Sequence, residues 1–347
     1  MKVRHLCFSF LVLMLVPLAS AATYYVGPCK TGSYATIQAA VNASVAGSTV
    51  IICPGTYTTQ VTITKSLNLQ GLNNGSSQVR IVGSSTDQSI TSDVYGVALR
   101  PSIIVKSANV NLSNIAVEQV IAPGLSCLSF VVGIYYGTGS SGTVNHSNVN
   151  LVDQSGCAQP TGTGIWLENA SAVAKTVTLQ NSSIQADGYG VQALGAIVPN
   201  PLTLNASGNI IVVSANGSAT NLLGRGLWLS NITGTIRGNT ILADRSVPAA
   251  THIGVETAGV AVSFTGNTIV SETGMSLGGG ESVTGNKIRA LQGVDLGGRV
   301  ATITKNTFFG GYYLQGSSGS NIGIENCGSP VGANTFFNLT EQKGPDC

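Results

Sequence analysis

The region from Gly254 to Phe308 repeats one pattern three times. Each unit is about 20 residues long and begins with a glycine, at Gly254, Gly274 and Gly293. An asparagine follows in the second half of each unit, and apolar residues alternate with polar ones, which is typical of strands. A unit this short has room for several strands but not for a helix as well. The repeat therefore predicts a right-handed parallel β-helix, in which each coil stacks on the previous one.

The pattern can be followed back through the chain in longer units, the longest of which spans the 37 residues from Gly96 to Gly133. The residue after each glycine position is predicted to face the core, and this column consists of Val97, Ile134, Ile165, Val191, Leu227, Val255, Met275, Val294 and Tyr312. Two more apolar columns lie three residues before and two residues after the asparagine position. Together the columns predict about ten coils, with loops inserted in the early ones.

The asparagine position forms a polar column of its own. It consists of Ser113, Ser147, Ser182, Asn209, Asn239, Asn267, Asn286, Asn306 and Asn334. Asparagine tolerates the left-handed backbone angles of a tight bend, and its amide can bond the amide of the neighbouring coil. The column is therefore predicted to be a structural ladder at a bend between two strands.

The stretch 34–71 has the features of an opening module. Ile37, Val41 and Val45 fall on one face of a short helix, which would cap the open end of the solenoid core. Strand-like runs follow as far as Gly71.

Three motifs in this module carry a family resemblance: Thr36-Ile37-Gln38-Ala39-Ala40, Pro54-Gly55-Thr56-Tyr57 and Ser66-Leu67-Asn68-Leu69-Gln70-Gly71. They resemble the N-terminal module of pectin methylesterases and of the broader pectin-lyase-like group of carbohydrate-binding and sugar-hydrolase β-helix proteins. The resemblance implies the β-helix fold. The catalytic motifs of pectin methylesterases, polygalacturonases and pectate lyases have no match, so the resemblance assigns no catalytic residue.

The N-terminus has the pattern of a secretory signal peptide, predicted to cover 1–21. A basic start is followed by an apolar run too short to span a membrane and by the small residues Ala19-Ser20-Ala21. The rest, 22–347, is predicted to be one β-helix domain, secreted or periplasmic, with 34–71 as the N-terminal cap and first coil and 316–347 as the C-terminal cap.

Charge argues against one class of partner. Removal of the signal peptide takes away Lys2 and Arg4, which leaves equal numbers of basic and acidic residues. Nucleic-acid binding needs a basic surface, so it is not predicted. No cofactor is predicted either, and we expect a monomer.

Six cysteines remain after cleavage, an even number that suggests disulfides in an exported chain. Six cysteines allow 15 pairings. A solenoid keeps sequence neighbours close, which favours the pairs Cys29–Cys53, Cys127–Cys157 and Cys327–Cys347. A metal site is not predicted, because no two cysteines have the short spacing that zinc sites use.

The second residue after each glycine position is predicted to face outward. This column consists of Ala98, Tyr135, Trp166, Gln192, Trp228, Glu256, Ser276, Asp295 and Tyr313. It reads as a strip of exposed rings leading to two carboxylates, and rings suit the apolar faces of sugars. The predicted substrate-binding residues are Tyr135, Trp166, Gln192, Trp228 and Tyr313. In the alternative interpretation, inserted loops cover Trp166 and Trp228 as a second small core.

Glu256 and Asp295 are the candidate catalytic residues. They lie two coils apart, so their backbones should be ~9.5 Å apart from the strand spacing. That value is at the upper end of the range for the carboxylate pair of inverting glycosidases, about 6.5–9.5 Å. In the alternative interpretation, both are solvated surface residues.

Two functions follow from these patterns. The first is binding or processing of an extracellular polysaccharide along the aromatic strip, by a hydrolase or lyase if the chain is an enzyme. The second is a non-catalytic surface or structural role, such as that of an adhesin, in which the long polar side of the solenoid is the working surface. An exposed strip favours the first, whereas a buried strip with a flat Ser/Thr/Asn surface elsewhere favours the second.

Overall fold

A computed structural model describes the chain in thirteen ranges: 21–72, 78–83, 87–121, 129–153, 162–196, 202–214, 223–244, 251–259, 261–296, 299–310, 322–326, 331–337 and 340–343. These ranges contain one helix, α1 (Ile37–Ala43), and strands throughout. The first twelve strands are β1 Thr23–Val26, β2 Ser48–Ile52, β3 Gly55–Thr58, β4 Val61–Ile63, β5 Leu67–Gly71, β6 Val79–Val82, β7 Ile90–Thr91, β8 Ala98–Val105, β9 Asn109–Ser113, β10 Ile115–Ile121, β11 Ser129–Tyr136 and β12 Ser141–Asn145. The next twelve are β13 Asn148–Asp153, β14 Gly162–Asn169, β15 Lys175–Gln180, β16 Ser183–Ala186, β17 Tyr189–Gly195, β18 Leu202–Ser207, β19 Ile210–Ser214, β20 Leu223–Ser230, β21 Ile232–Arg237, β22 Thr240–Asp244, β23 Thr251–Ala258 and β24 Ala261–Thr265. The remaining strands are β25 Thr268–Ser271, β26 Thr273–Ser276, β27 Ser282–Thr284, β28 Lys287–Arg289, β29 Gln292–Asp295, β30 Thr302–Thr304, β31 Thr307–Phe309, β32 Ile322–Asn326, β33 Val331–Gly332, β34 Thr335–Phe337 and β35 Thr340–Lys343.

The strands form three long parallel sheets. The first sheet has the order β1-β2-β5-β9-β12-β15-β18-β21-β24-β27-β30-β33, and the second has β3-β6-β10-β13-β16-β19-β22-β25-β28-β31-β34. The third has β35-β32-β29-β26-β23-β20-β17-β14-β11-β8-β4, with β7 antiparallel to β8. Each turn of the chain adds one strand to each sheet, so the chain is a right-handed parallel β-helix, as the repeat predicted.

The predicted core column is confirmed from the second of its positions onward. Ile134, Ile165, Val191, Leu227, Val255, Met275 and Val294 are all buried in one core cluster. Val97 was wrongly assigned to this column, because Ile103, and not Val97, lies opposite Ile134 in the sheet. The other two columns are displaced by two residues in the same early coil, where Leu112 opposes Val144. Tyr312 lies outside the described residues.

The alternation of inward and outward side chains is interrupted at the glycines of the third sheet. A Cβ atom on Gly226 would lie 2.3 Å from the Ile241 Cγ2 atom of the second sheet, and the next residue, Leu227, is fully buried. Two successive residues therefore face the core. As a result Arg225 and Trp228, which flank them, face outward three residues apart, and the Arg225 guanidinium lies 5.2 Å from the Trp228 ring.

The predicted ladder is confirmed between the first and second sheets. From Asn209 to Asn306, the backbone N–H and the side-chain Nδ2 of each asparagine donate to Oδ1 of the next at 2.8–3.1 Å. Ser182 and Ser147 extend it, because each of these residues donates its backbone N–H to the next member. Ser113 does not belong to it, since its coil is displaced in the alignment.

The predicted reason for asparagine in the ladder needs a correction. The left-handed residue is the one before each ladder position, and these residues are His146, Asn181, Gly208, Gly238, Gly266, Gly285, Lys305 and Ala333. Glycine is frequent there because it has no Cβ to strain a positive φ. The ladder asparagines are selected for their amides, which bond neighbouring coils.

The N-terminal cap is also confirmed. Thr36 caps α1 by accepting a hydrogen bond from the Ala39 backbone N–H, and Ile37 and Val41 are buried on the core. The helix ends before Val45, which is only partly buried.

The disulfide Cys29–Cys53 is present, as predicted. Cys127, Cys157, Cys327 and Cys347 lie outside the described residues, as do most of the predicted signal peptide and half of the predicted C-terminal cap. No helix in the part of the chain that the structure describes has the length and apolar character to cross a membrane.

Candidate functional site

The predicted outward column lies on the outer face of the third sheet. In the register of neighbouring strands, Tyr135 is followed by Trp166, Gln192, Trp228, Glu256, Ser276 and Asp295. Ile104, not Ala98, is the neighbour of Tyr135 in the preceding coil. Tyr313 lies outside the described residues. The sheet therefore brings the predicted binding and catalytic residues into one line.

The expected exposure of this line is wrong in its first half. Tyr135, Trp166 and Gln192 are each only 1% exposed. Both rings belong to a second apolar cluster outside the sheet, which contains Leu99, Ile104, Val132, Tyr135, Trp166 and Leu194. For Trp166 the alternative interpretation, a second small core under an inserted segment, is the correct one.

A buried carboxylate holds this second core together. Glu168 accepts hydrogen bonds from the Tyr135 hydroxyl at 2.5 Å and from the Trp166 indole Nε1–H at 3.1 Å. The Ser92 hydroxyl and the Asp93 backbone N–H also donate to it, at 2.6 and 2.7 Å. Burial, together with the nearby Glu168 carboxylate, raises the pKa of the Tyr135 hydroxyl, which therefore stays a donor. Four donors compensate the cost of burying the charge.

The covering segment is a hairpin that begins at β7 and ends at Val97. The backbone N–H of Ser92 donates to the Val97 carbonyl, and the Gly96 N–H donates to the Ser92 carbonyl, both at 2.9 Å. The Tyr95 side chain projects from its tip across the sheet. Its ring makes an edge contact with Trp166, at 6.4 Å between centroids, and stacks on Trp228 at 5.6 Å. Tyr95 itself is 44% exposed, so the outermost ring at this end comes from the hairpin.

Trp228 marks the border between the covered and uncovered halves. Its ring is partly exposed and stacks on Tyr189 at 5.4 Å. Arg225 lies over both rings and donates from Nε to the Glu256 Oε2 atom, while its Nη1 donates to the Tyr189 hydroxyl at 3.1 Å. The Tyr189–Trp228 ring pair and the Arg225–Glu256 ion pair therefore lie side by side on the outer face of the third sheet.

Tyr189 and Arg225 were missed by the sequence analysis, although both contact the predicted Trp228. If side chains alternated strictly, the outward-facing residue before Trp228 would be Gly226. Because two adjacent residues face inward at each glycine, the outward-facing residue is instead Arg225, and in the preceding coil it is Tyr189. The signal was present, since the residue before each glycine would have formed a second outward column.

The second half of the line is not covered by the hairpin residues that the structure describes. Glu256, Ser276 and Asp295 are all partly exposed, in the order and two-coil separation expected for the carboxylates. The ion pair with Arg225 holds Glu256 as a hydrogen-bond acceptor. The arrangement suits contact with sugar hydroxyls, which donate as well as accept.

Other titratable groups near this face do not form a further centre. His252 is buried in β23. Within the described ranges, no three His, Cys, Asp or Glu side chains come close enough together to hold a metal ion.

Comparisons with known proteins identify the architecture. No protein-family model matches the chain, and no curated protein matches it either. Among solved structures, DFA-IIIase from Arthrobacter chlorophenolicus A6 is similar with a TM-score of 0.52 and 13% identity, over 92% of this chain and 88% of that one. Pectin methylesterase PemA from Erwinia chrysanthemi has a TM-score of 0.40 and 9% identity, over 94% and 92%. The Dettilon tailspike protein has a TM-score of 0.42 and 11% identity over 83% of this chain, which spans 62% of the tailspike chain. At 13% identity the likeness to DFA-IIIase shows the fold alone.

Proposed function

We propose that this protein binds an extracellular polysaccharide along the outer face of the third sheet. The observation that carries the proposal is the partly exposed Trp228 ring beside the Arg225–Glu256 pair, at the border of the uncovered half of the face. From there the line continues through Ser276 to Asp295. Strands follow one another at ~4.8 Å, so these positions offer one polar group per coil to an extended chain.

The chemistry of these groups matches a saccharide. An aromatic ring presents a flat apolar surface and an electron-rich face, onto which the C–H side of a sugar ring can pack. Carboxylate and guanidinium groups bond the hydroxyls around the rim of the same sugar. Tyr189 and Arg225 keep the Trp228 ring in place, because they contact it from the neighbouring coil and from its own strand.

The first test is a glycan array probed with the secreted protein, followed by titration of any glycan that binds. Trp228→Ala is expected to weaken binding by about 1–3 kcal/mol, roughly the value of burying one large apolar side chain, or about 5- to 150-fold in Kd. Phe337→Ala is the matched control, since Phe337 is 51% exposed on the second sheet, away from this face. Its affinity should equal that of the wild type. Unchanged binding by Trp228→Ala, or equal losses in both variants, would refute the proposal.

Catalysis by Glu256 and Asp295 is a separate hypothesis. The two carboxylates lie on one face with Ser276 between them, which supports an acid–base pair acting on a glycosidic bond. Product analysis of the bound glycan tests it. If the wild type releases shorter saccharides, Glu256→Gln and Asp295→Asn should stop product formation and largely retain binding. Product formation by both variants would exclude the pair.

A second function is favoured by a different surface. The outer face of the first sheet has stacked short polar side chains, in which Thr203 and Thr233 hydroxyls lie 2.9 Å apart and the Thr235 hydroxyl donates to Asn205 at 3.0 Å. Such a flat hydroxyl and amide array suits a non-catalytic surface protein that lies along another polymer. Thr235→Lys would disturb this surface and leave the Trp228 face intact. Loss of cell-surface or matrix association in Thr235→Lys alone would support this alternative.

The site also requires that the chain reaches its substrate outside the cell. We propose that 1–21 is removed on export and that 22–347 is one monomeric domain. The disulfide between Cys29 and Cys53 supports an oxidising compartment. N-terminal sequencing of the secreted protein should give Ala22, and its mass in solution should correspond to one chain.

A further inference from the structure

The Tyr95 ring lies flat against the Trp228 ring. The two rings are almost parallel, at an interplanar angle of 16° and a centroid distance of 5.6 Å. A six-membered ring lying flat on an indole is also the geometry in which a pyranose packs against an aromatic side chain. Tyr95 is nevertheless 44% exposed, so this position buries only part of its side chain.

A buried amide lies on the same line between the two tryptophans. Gln192 is the register neighbour of Trp166 on one side and of Trp228 on the other, and Tyr95 contacts both rings. Tyr95 therefore crosses the coil of Gln192. The Gln192 Oε1 atom is buried and has no hydrogen-bond partner among the residues that the structure describes. A buried acceptor without a donor is unfavourable, and a sugar hydroxyl would supply the donor.

The hairpin can release Tyr95 without giving up its anchor. The contacts with Glu168 are made by Ser92 and Asp93, and the Tyr95 backbone N–H donates to the Ser92 hydroxyl at 3.0 Å. Tyr95 itself is bound to the sheet through ring contacts. Rotation of this one side chain would therefore remove its ring from Trp228 and Trp166, the two register neighbours of Gln192.

We propose that Tyr95 closes a pyranose-binding subsite made by the Trp228 face, the Gln192 amide and the Trp166 edge, and that a saccharide displaces it. The inference rests on the proposed function and extends the saccharide site by about two coils toward Trp166. The Glu168 carboxylate, which accepts the Trp166 indole N–H, would repel a uronate at this end. The subsite therefore takes a neutral pyranose unit.

The intrinsic fluorescence of the protein reports on this subsite directly. The chain contains two tryptophans, Trp166 and Trp228, and Tyr95 contacts both. Tyr95→Ala should increase the quenching of tryptophan fluorescence by iodide. Tyr95→Phe, which keeps the ring, should not.

The binding test uses cellohexaose, xylohexaose and mannohexaose as neutral probes and hexagalacturonate as the charged one, titrated by fluorescence and calorimetry. Tyr95→Ala is expected to bind at least one neutral hexasaccharide about tenfold more tightly than the wild type, whereas Tyr95→Phe should match the wild type. Gln192→Leu, combined with Tyr95→Ala, should remove the gain. The affinity for hexagalacturonate should not rise. Thermal unfolding of each variant verifies that the fold is retained.

The outcomes separate this inference from the proposed function. Weaker or unchanged binding by Tyr95→Ala, with wild-type binding that depends on Trp228, overturns the inference and leaves the proposed function standing. A gain for hexagalacturonate alone overturns the assignment of a neutral sugar. Absence of binding to every probe and every array glycan by both wild type and Tyr95→Ala overturns both.

Discussion

Replacement of Asn267 by alanine is expected to lower the free energy of unfolding by about 3–5 kcal/mol. Asn267 is 1% exposed, and its Nδ2 donates to the Ile236 carbonyl at 2.8 Å and to the Asn286 Oδ1 atom at 2.9 Å. Its own Oδ1 accepts from the Asn239 backbone N–H at 2.9 Å. Alanine would leave at least two buried backbone groups without these partners, at about 1–3 kcal/mol each. Urea unfolding followed by circular dichroism measures the loss.

Two matched variants locate the cause of this effect. Asn267→Ser should lose less than Asn267→Ala, because Ser182 already serves in the ladder by accepting the Ser147 backbone N–H through its hydroxyl. Thr268→Ala alters an exposed side chain next to the ladder and should change stability by less than about 0.5 kcal/mol. Hydrogen exchange should show the faster opening of the Asn239 amide in Asn267→Ala. A loss of unfolding free energy below about 1 kcal/mol would mean that water compensates for the lost ladder hydrogen bonds. The asparagines would then not be selected for these hydrogen bonds.

Replacement of Glu168 by alanine is expected to destabilise the chain by about 3–5 kcal/mol, at about 1–3 kcal/mol for each buried donor left without an acceptor, and to release the Tyr95 hairpin. The carboxylate is 1% exposed and serves four donors from three separate parts of the chain. Its removal leaves the Tyr135 hydroxyl and the Trp166 indole N–H buried without an acceptor. A red-shifted tryptophan emission and faster proteolysis between Ser92 and Val97 should accompany the loss of stability.

A second glutamate provides the control. Glu118 accepts two hydrogen bonds from Arg80, at 2.9 and 2.5 Å, but both side chains are partly exposed to solvent. Exposed ion pairs contribute about 0–1 kcal/mol, so Glu118→Ala should be nearly neutral. Glu168→Gln keeps the shape but turns an NH2 group toward two of the four donors, and it should fall between wild type and Glu168→Ala. Equal effects of Glu118→Ala and Glu168→Ala would contradict the role assigned to Glu168.

The repeat predicted the parts of the fold that depend on stacking. The inward residues from Ile134 to Val294 and the ladder from Ser147 to Asn334 follow from the fact that each coil places the same position above its predecessor. The prediction was wrong where the coils are long: at Val97 an inserted hairpin resembles the repeat without belonging to it, and at Ser113 the position assigned in β9 lies two residues too early.

The candidate site was only partly predictable for the same physical reason. Direction is a local property of a strand, and Trp166 does face away from the main core. The exposure of Trp166 depends on which other segments pack over it. The covering segment, Ser92 to Val97, is joined to the Trp166 strand through Glu168, which is 75 residues away along the chain from Asp93. Arg225 was missed because two adjacent residues face inward at Gly226, which no strict alternation anticipates.

The Asn ladder also makes the length of the solenoid adjustable. Each member donates to the coil after it and accepts from the coil before it, so every internal coil presents the same pair of surfaces to its neighbours. A duplicated segment such as 267–285 would find its donors and acceptors already in place, and a deleted one would leave matching ends. The outer face of the third sheet would lengthen or shorten by ~4.8 Å with each such event. If the face binds a polysaccharide as proposed, the number of sugar units that it accommodates can vary during evolution, or by engineering, through changes of whole coils.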